Sequence, residues 1–355
     1  IYNTGENAVE SGIAIVTPLI LFSTAPTQRR YVLLYAGEYG SFTEDSADNY
    51  DDHLLSGAAL LQFGSRGQLD VIAMAEKGHR RRGTYQTSGL NPSSPFWPSE
   101  PDTFDRYDWA GQFHYGAEGN RGRLRFGLGG TQFESTNNRE RTRFLDYDTQ
   151  FVSTGLSLLF HQRTAVVLDA WFTDVRYEEV PPDGAKRDSE DWRFLLGLSW
   201  EATAKTEGSV RLGMERRHFD DPARASASNP SWEVDVRWSP RDYSHFHFLA
   251  WRRNEETFAG GDFIDTSVYR VAWTHEWRPG WGSIISWDQT DADFVGSARD
   301  QESTVYYLGM RYSQGRLLTW DVGFARRNRD SSLSPLVYDA NMFTIGLNIG
   351  ADARL

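Results

Sequence analysis

The stretch Pro230-Ser231-Trp232-Glu233-Val234-Asp235-Val236-Arg237-Trp238-Ser239-Pro240 alternates without a fault. Trp232, Val234, Val236 and Trp238 share one face, and Glu233, Asp235 and Arg237 the other. Successive side chains of a strand point to opposite faces, so this is a β-strand with one apolar and one charged face. The apolar face begins and ends in tryptophan, with aliphatics between. A strand that crosses a bilayer has this arrangement, its aromatic ends resting in the two interfaces.

Working outward, the same unit recurs along all 355 residues. The first strand, Ser11 to Thr24, is interrupted by Pro18, which predicts a bulge or a weakly paired position. After it come Arg30–Thr43, an acidic loop Glu44–Asp52, His53–Gly64, and a strand from Gln68 to about Lys77. The loop from about Thr84 to Asp105 carries Pro92, Pro95, Pro98 and Pro101 and is no strand. Then the pattern becomes regular, from Tyr107–Ala117 and Arg121–Phe133 through to Leu317–Arg327 and Val337–Gly350. Short turns such as Arg278-Pro279-Gly280 alternate with longer polar connections. Outer-membrane barrels have short periplasmic turns and longer outer loops. A β-propeller needs a repeat of roughly 40–50 residues, and none is present. A soluble sandwich has shorter strands and no reason to alternate loop length.

The expectation is therefore an all-β fold, a transmembrane antiparallel up-and-down β-barrel. About 17 strands are visible, and residues 1–355 form a single domain. Bacterial single-chain barrels have an even strand number. That parity predicts about 18 strands, one of them preceding residue 1, with both ends on the periplasmic side. Mean hydropathy is negative, and no run approaches the roughly 18 apolar residues of a membrane helix. A barrel is compatible with that, because only every second residue meets lipid.

Composition removes several functions. There is no cysteine, so disulfides, thiolate chemistry and Cys-bound zinc are excluded. The net charge of -12 argues against nucleic acid as a partner. Lys77, Lys186 and Lys205 are the only lysines, so 34 of the 37 basic residues are arginine. Arginine suits a charged interior because it pairs bidentately with carboxylates and phosphates; high genomic GC content gives the same bias. The sequence contains no Gly-x-Ser-x-Gly, no phosphate-cradling glycine loop and no His-Glu-x-x-His. No enzyme activity, metal or cofactor is expected.

Alternation also sorts the strand residues. Leu318, Trp320, Val322 and Phe324 are apolar and face out, against Thr319, Asp321, Gly323 and Ala325. A basic residue at mid-bilayer costs roughly 2–4 kcal/mol, which fixes the register. The expected pore lining is then Arg123, Arg125, Arg193, Arg211, Arg237, Arg253, Arg270, Arg311 and Arg327 with Asp169, Glu215, Glu233, Asp235, Glu276 and Asp321. Asp108 and Asp288 fall on the same face. These charges either guide an anionic polymer or pair with one another and stiffen the wall. Trp171, Trp251 and Tyr307 also point inward, as platforms for sugars or as wall packing.

His79-Arg80-Arg81-Arg82 is expected to pair with the acidic loop Glu44, Asp45, Asp48, Asp51 and Asp52, the alternative being lipopolysaccharide phosphates. Asp288, Asp291 and Asp293 read as a solvated loop edge rather than a calcium site. The long loop Thr84–Asp105 is a candidate constriction or plug: Phe96-Trp97 is too apolar for a loop tip in water, which points to burial in the barrel or contact with a partner.

Tyr35-Ala36-Gly37-Glu38-Tyr39-Gly40, followed by Asp48-Asn49-Tyr50-Asp51-Asp52-His53-Leu54, resembles the putative beta-barrel porin 2 family. The layout of the whole chain is similar to that family, the specific residues only over about the first 60 positions. The resemblance implies a bacterial outer-membrane barrel of the kind associated with exopolysaccharide production, and so a conduit for exopolysaccharide or capsular polysaccharide. The partners it implies are outer-membrane lipid and lipopolysaccharide, a polysaccharide and a periplasmic export partner. Two other readings fit the same residues: a general diffusion porin, and a structural barrel that anchors partner proteins.

Overall fold

The computed structural model of the protein describes residues 11–24, 28–88, 90, 94–117, 121–161, 163–203, 205–315 and 317–350. Among these residues alternation becomes one sheet of 18 strands. In chain order they are β1 (Ile13–Val16), β2 (Leu19–Ser23), β3 (Arg29–Phe42), β4 (Tyr50–Phe63), β5 (Gly67–Arg80), β6 (Asp102–Tyr115), β7 (Gly122–Ser135), β8 (Tyr147–His161) and β9 (Thr164–Tyr177). There follow β10 (Ser189–Thr203), β11 (Thr206–Phe219), β12 (Ala227–Arg241), β13 (Ser244–Glu255), β14 (Phe263–Arg278), β15 (Trp281–Val295), β16 (Asp300–Gln314), β17 (Leu318–Ser331) and β18 (Tyr338–Ile349). One short helix, α1 (Arg139–Thr142), sits in the connection before β8. Among the described residues no helix is long and apolar enough to cross a membrane.

β1 and β2 are the two halves of the first strand, broken around Pro18, and both pair with β3. From there every strand pairs antiparallel with its successor. The fold is a transmembrane antiparallel up-and-down β-barrel. Among the described residues no ladder joins β18 to β1 or β2, whose partner is β3, so β18 and the β1–β2 strand are the two edges of the described sheet. Both edges are highly exposed: Ile20 at 66% on one side, Ile345 at 83% on the other. The expected strand before residue 1, and residues 1–10 with it, lie outside the described residues.

Most strands run beyond the ends that alternation marks. β12 takes in Ala227–Ser231 as well as Trp232–Trp238, and β16 begins as early as Asp300. The added residues are polar on both faces, as in Asp300-Gln301-Glu302-Ser303, so no apolar period announces them; the ladder continues past the bilayer on hydrogen bonds alone. Asp288, Asp291 and Asp293 likewise belong to β15 and not to a loop edge. The pleat places Asp288 on the opposite face from the other two.

The outer face is apolar across the middle of the barrel. Phe194, Leu196, Leu198, Leu212 and Met214 are 44–61% exposed, which suits a surface in contact with hydrocarbon. Aromatic rows flank it. At the short-turn end Trp238 stacks on Phe246 at 5.0 Å and Phe246 on Trp273 at 6.0 Å, and Trp281 lies 4.5 Å from Tyr312. Trp232 and Phe324 belong to this outer face. Gly280, at φ 81°, supplies the left-handed residue of a tight turn.

Candidate channel and its charged wall

Register decides which side chains share the concave face. Arg125, Gly155 and Asp169 are successive partners across β7, β8 and β9. Contacts between next-but-one strands mark this side as the inner one: Arg193 on β10 reaches Ser231 Oγ on β12 at 2.8 Å. Every expected lining residue falls on this face, because the alternation that nominated it is the pleat itself.

Many of the inner charges are paired. Arg125 meets Asp169 at 2.5 Å, and Asp169 meets Arg211 at 3.7 Å. Arg211 pairs with Glu233 at 3.0 Å, and Glu233 with Arg193 at 2.9 Å. The Arg193 guanidinium lies 5.3 Å from the centre of the Trp171 ring. One chain of alternating charge thus crosses from β7 to β12. Further round, Arg237 pairs with Glu207 at 3.2 Å and Asp235 with His247 at 3.1 Å. Arg253 lies over Trp251 at 4.3 Å and holds Glu255 at 3.0 Å. Arg270 pairs with Asp288, and Arg311 with Asp321 at 2.7 Å. The Glu215 carboxylate accepts the Asn254 N–H at 3.0 Å. Arg123, Arg327 and Glu276 have no ion pair among the described residues. The expected alternative of a wall stiffened by its own ion pairs describes most of this set.

The aromatics are engaged in the same way. A Cβ on Gly309 or Gly323 would come within 2.6 or 2.7 Å of Tyr307 Oη. Tyr307 therefore lies flat over two glycines, as wall packing.

A groove of mixed polarity lies on this face at the short-turn end. It has a volume of about 470 Å³, and Ser157, Ser199 and Ser209 set hydroxyls there between Arg123, Asp235 and Arg237.

Two further features stand out, one absent from the sequence reading and one on the loop 84–105 that it names as a candidate constriction or plug. The first is a buried centre near the long-loop end. Arg217, 2% exposed, holds Asp191 through three bonds of 2.6–3.0 Å and Glu256 at 2.5 Å. Tyr177 Oη donates to Glu256 at 2.6 Å. Alternation could have found Arg217, which shares the face of Arg211 and Glu215. Glu256 could not be found that way, since it sits in a connection.

The second is the mouth. Tyr85, after β5, packs edge-on against Phe258, after β13, with ring centres 4.7 Å apart. Phe258 in turn meets Phe294 at 5.4 Å. Loops from distant strands therefore join across the opening. Tyr85 holds φ at 51°, a strained value for a bulky residue. Of the apolar pair expected either to be buried or to contact a partner, Trp97 is half-buried, with Arg82 5.5 Å from its ring, whereas Phe96 is 78% exposed.

The basic run after β5 does meet the acidic loop. His79 contacts Asp52 at 2.8 Å, and Arg82 binds Asp48 at 2.8 Å and Asp45 at 2.5 Å. The Arg82 hydrogen bond, helped by the Ala47 N–H, holds the Asp45 carboxyl below the usual carboxylate range. Arg80 turns to aromatic faces instead, 4.7 Å from both the Tyr85 and Phe133 rings.

The sequence profile described as "Putative beta-barrel porin 2" matches residues 157–350. The tyrosine and glycine motifs of the first 60 positions lie outside that match. No curated protein matches the chain. Among solved structures, the FrpB iron transporter of Neisseria meningitidis is similar over 95% of this chain, with TM-scores of 0.53 for the F5-1 variant and 0.52 for the F3-3 variant at 11% identity. The chain spans 66% of those transporters, just under two thirds of their length. The copper transporter OprC is similar over 97% of this chain and 65% of its own, at TM-score 0.50 and 11% identity. Identities this low speak for the barrel fold alone.

Proposed function

From the premise that this chain belongs to the putative beta-barrel porin 2 family and lies in the bacterial outer membrane, we propose that it is a non-catalytic pore through which an exopolysaccharide or capsular polysaccharide leaves the cell. The observation that carries this reading is the inner groove at the short-turn end. Its serine hydroxyls and charges of both signs offer donors and acceptors to a polyhydroxylated chain. Arg123, without an ion pair among the described residues, supplies a cation for a uronate or phosphate on the polymer. A periplasmic partner would deliver the chain to this end, and lipopolysaccharide would surround the other.

A planar bilayer tests the proposal. Purified barrel should pass current that an anionic polysaccharide, added on the short-turn side, blocks. Arg123→Glu should weaken the block about tenfold or more, which corresponds to roughly 1.4 kcal/mol. Large current that no polysaccharide blocks would instead identify a general diffusion porin. Silence in every condition would favour an anchoring barrel.

A further inference from the structure

The inner wall is not charged all the way round. Midway along β3 to β6 it is apolar, between Arg30 and Asp70 on the short-turn side and Asp108 on the long-loop side. Register sets Val32, Ala58, Ile72 and Ala110 side by side in one row of the inner face. The next row toward the long loops begins with Leu34, Ser56 and Met74. These strands are apolar on the lipid side too, where Leu33, Leu55 and Val71 are 40–50% exposed. A strand that meets lipid on one face and water on the other should alternate, and here the alternation fails. Apolar surface turned to water is unfavourable, and Ile72 on this inner face is 47% exposed.

The surface has a definite shape. Ala58 and Ala110 are small and form a floor, while Val32, Leu60 and Ile72 rise around it, giving a groove of about 340 Å³. Arg30 lines the short-turn end of this groove. It is exposed and has no ion pair among the described residues. The nearest carboxylate in the groove is already held, since Asp70 takes two bonds from Gln68 at 2.8 and 3.1 Å and lies 3.1 Å from His114. The apolar strip continues to Leu19 and Leu21 on the edge strand β2, 62% and 61% exposed.

We infer that this groove binds a single-chain anionic amphiphile, a long-chain carboxylate, with its head on Arg30 and its hydrocarbon chain along Val32, Ala58 and Ile72. The guanidinium offers a carboxylate two parallel N–H donors, and the strip gives the chain an apolar bed. A sugar polymer would gain nothing from that bed, and a neutral lipid would gain nothing from Arg30. The site lies on a different part of the wall from the hydroxyl-lined groove, so it stands or falls independently of the proposed transport.

The test uses the full chain reconstituted in zwitterionic lipid nanodiscs, with palmitate carrying a photoreactive diazirine near its tail. Crosslinks should map to inward positions of β3, β4 and β5, and unlabelled palmitate should compete at least tenfold better than hexadecanol. Arg30→Gln should cut palmitate capture tenfold or more and leave capture of a hexadecanol probe unchanged. Ala58→Trp should abolish both. Because the chain has no cysteine, Ala58→Cys gives a single thiol, which a water-soluble maleimide should label and palmitate should protect. Crosslinks confined to the outward positions Leu33, Leu55 and Val71 would overturn the inference, as would equal capture by Arg30→Gln. An unreactive thiol at position 58 would overturn it too, showing that polypeptide covers the strip.

Discussion

Gly155 is small because an ion pair crosses over it. A Cβ there would lie 2.5 Å from Asp169 Oδ1 and 2.7 Å from Arg125 Nε. Gly155→Val should therefore destabilise the barrel by about 1–3 kcal/mol, read from urea unfolding in lipid vesicles; an unchanged midpoint would show that the pair relocates freely. Arg217 is the costlier position. Arg217→Ala leaves Asp191 and Glu256 buried without a cation, a loss of about 3–5 kcal/mol in the same assay. Arg217→Lys should recover only part of it, since a point charge cannot reproduce the fork. The Arg82–Asp45 tie is set by pH. A carboxyl whose folded pKa is depressed contributes its full stabilisation above the unfolded value of about 3.9 and loses it as pH falls through the lower folded value. A spin label on Ser46→Cys should keep constant mobility from pH 7 to 5 and gain mobility below about 4. A gain already at pH 6 would contradict the assignment. The Tyr-Gly motif near the start also becomes intelligible at this scale. Gly40 is overlain by the Tyr50 ring, which a Cβ would approach to 2.1 Å, and Tyr50 Oη donates to Glu38 at 2.6 Å. The residues that suggested the family are ring seats in the wall.

Strands and loops obey different constraints. On β11, Leu212 faces lipid and Ser209 faces in. Leu212→Arg should cost about 2–4 kcal/mol, whereas Ser209→Arg should cost less than half of that in the same unfolding series; the reverse order would mean the register is wrong by one. The mouth is an element-scale device made of two connections. Tyr85 and Phe258 meet edge to face, a contact worth about 0.5–1.5 kcal/mol beyond burial. Removing both rings should raise single-channel conductance in a planar bilayer, and an unchanged conductance would place the narrowest point elsewhere. Strand identity was legible because one face is oily and the other polar. Strand ends were not, because residues such as Asp300 and Glu302 are polar on both faces and only the ladder keeps them in line.

At the scale of the molecule, apolar side chains turned outward and a wall of paired charges turned inward make a barrel suited to a bilayer. Alkaline carbonate should leave the protein in the outer-membrane fraction, and its release would contradict the outward exposure of residues such as Phe194 and Leu212. The family match rests on residues 157–350, where alternation is most regular. The first third departs from that pattern: midway along β2 to β5 both faces are apolar, and there the rule that sorted the charged wall had nothing to sort.

The sequence by itself determined the barrel, its membrane and the inward set of charges, because a period of two is a local property that each strand writes independently. The tertiary structure alone decided which of those charges meet. Arg125 finds Asp169 two strands away, Arg217 finds Glu256 from a loop, and Arg30 is left facing an apolar groove. Pairing across strands depends on register, and contacts across the mouth depend on curvature. Neither is encoded in any single stretch of chain.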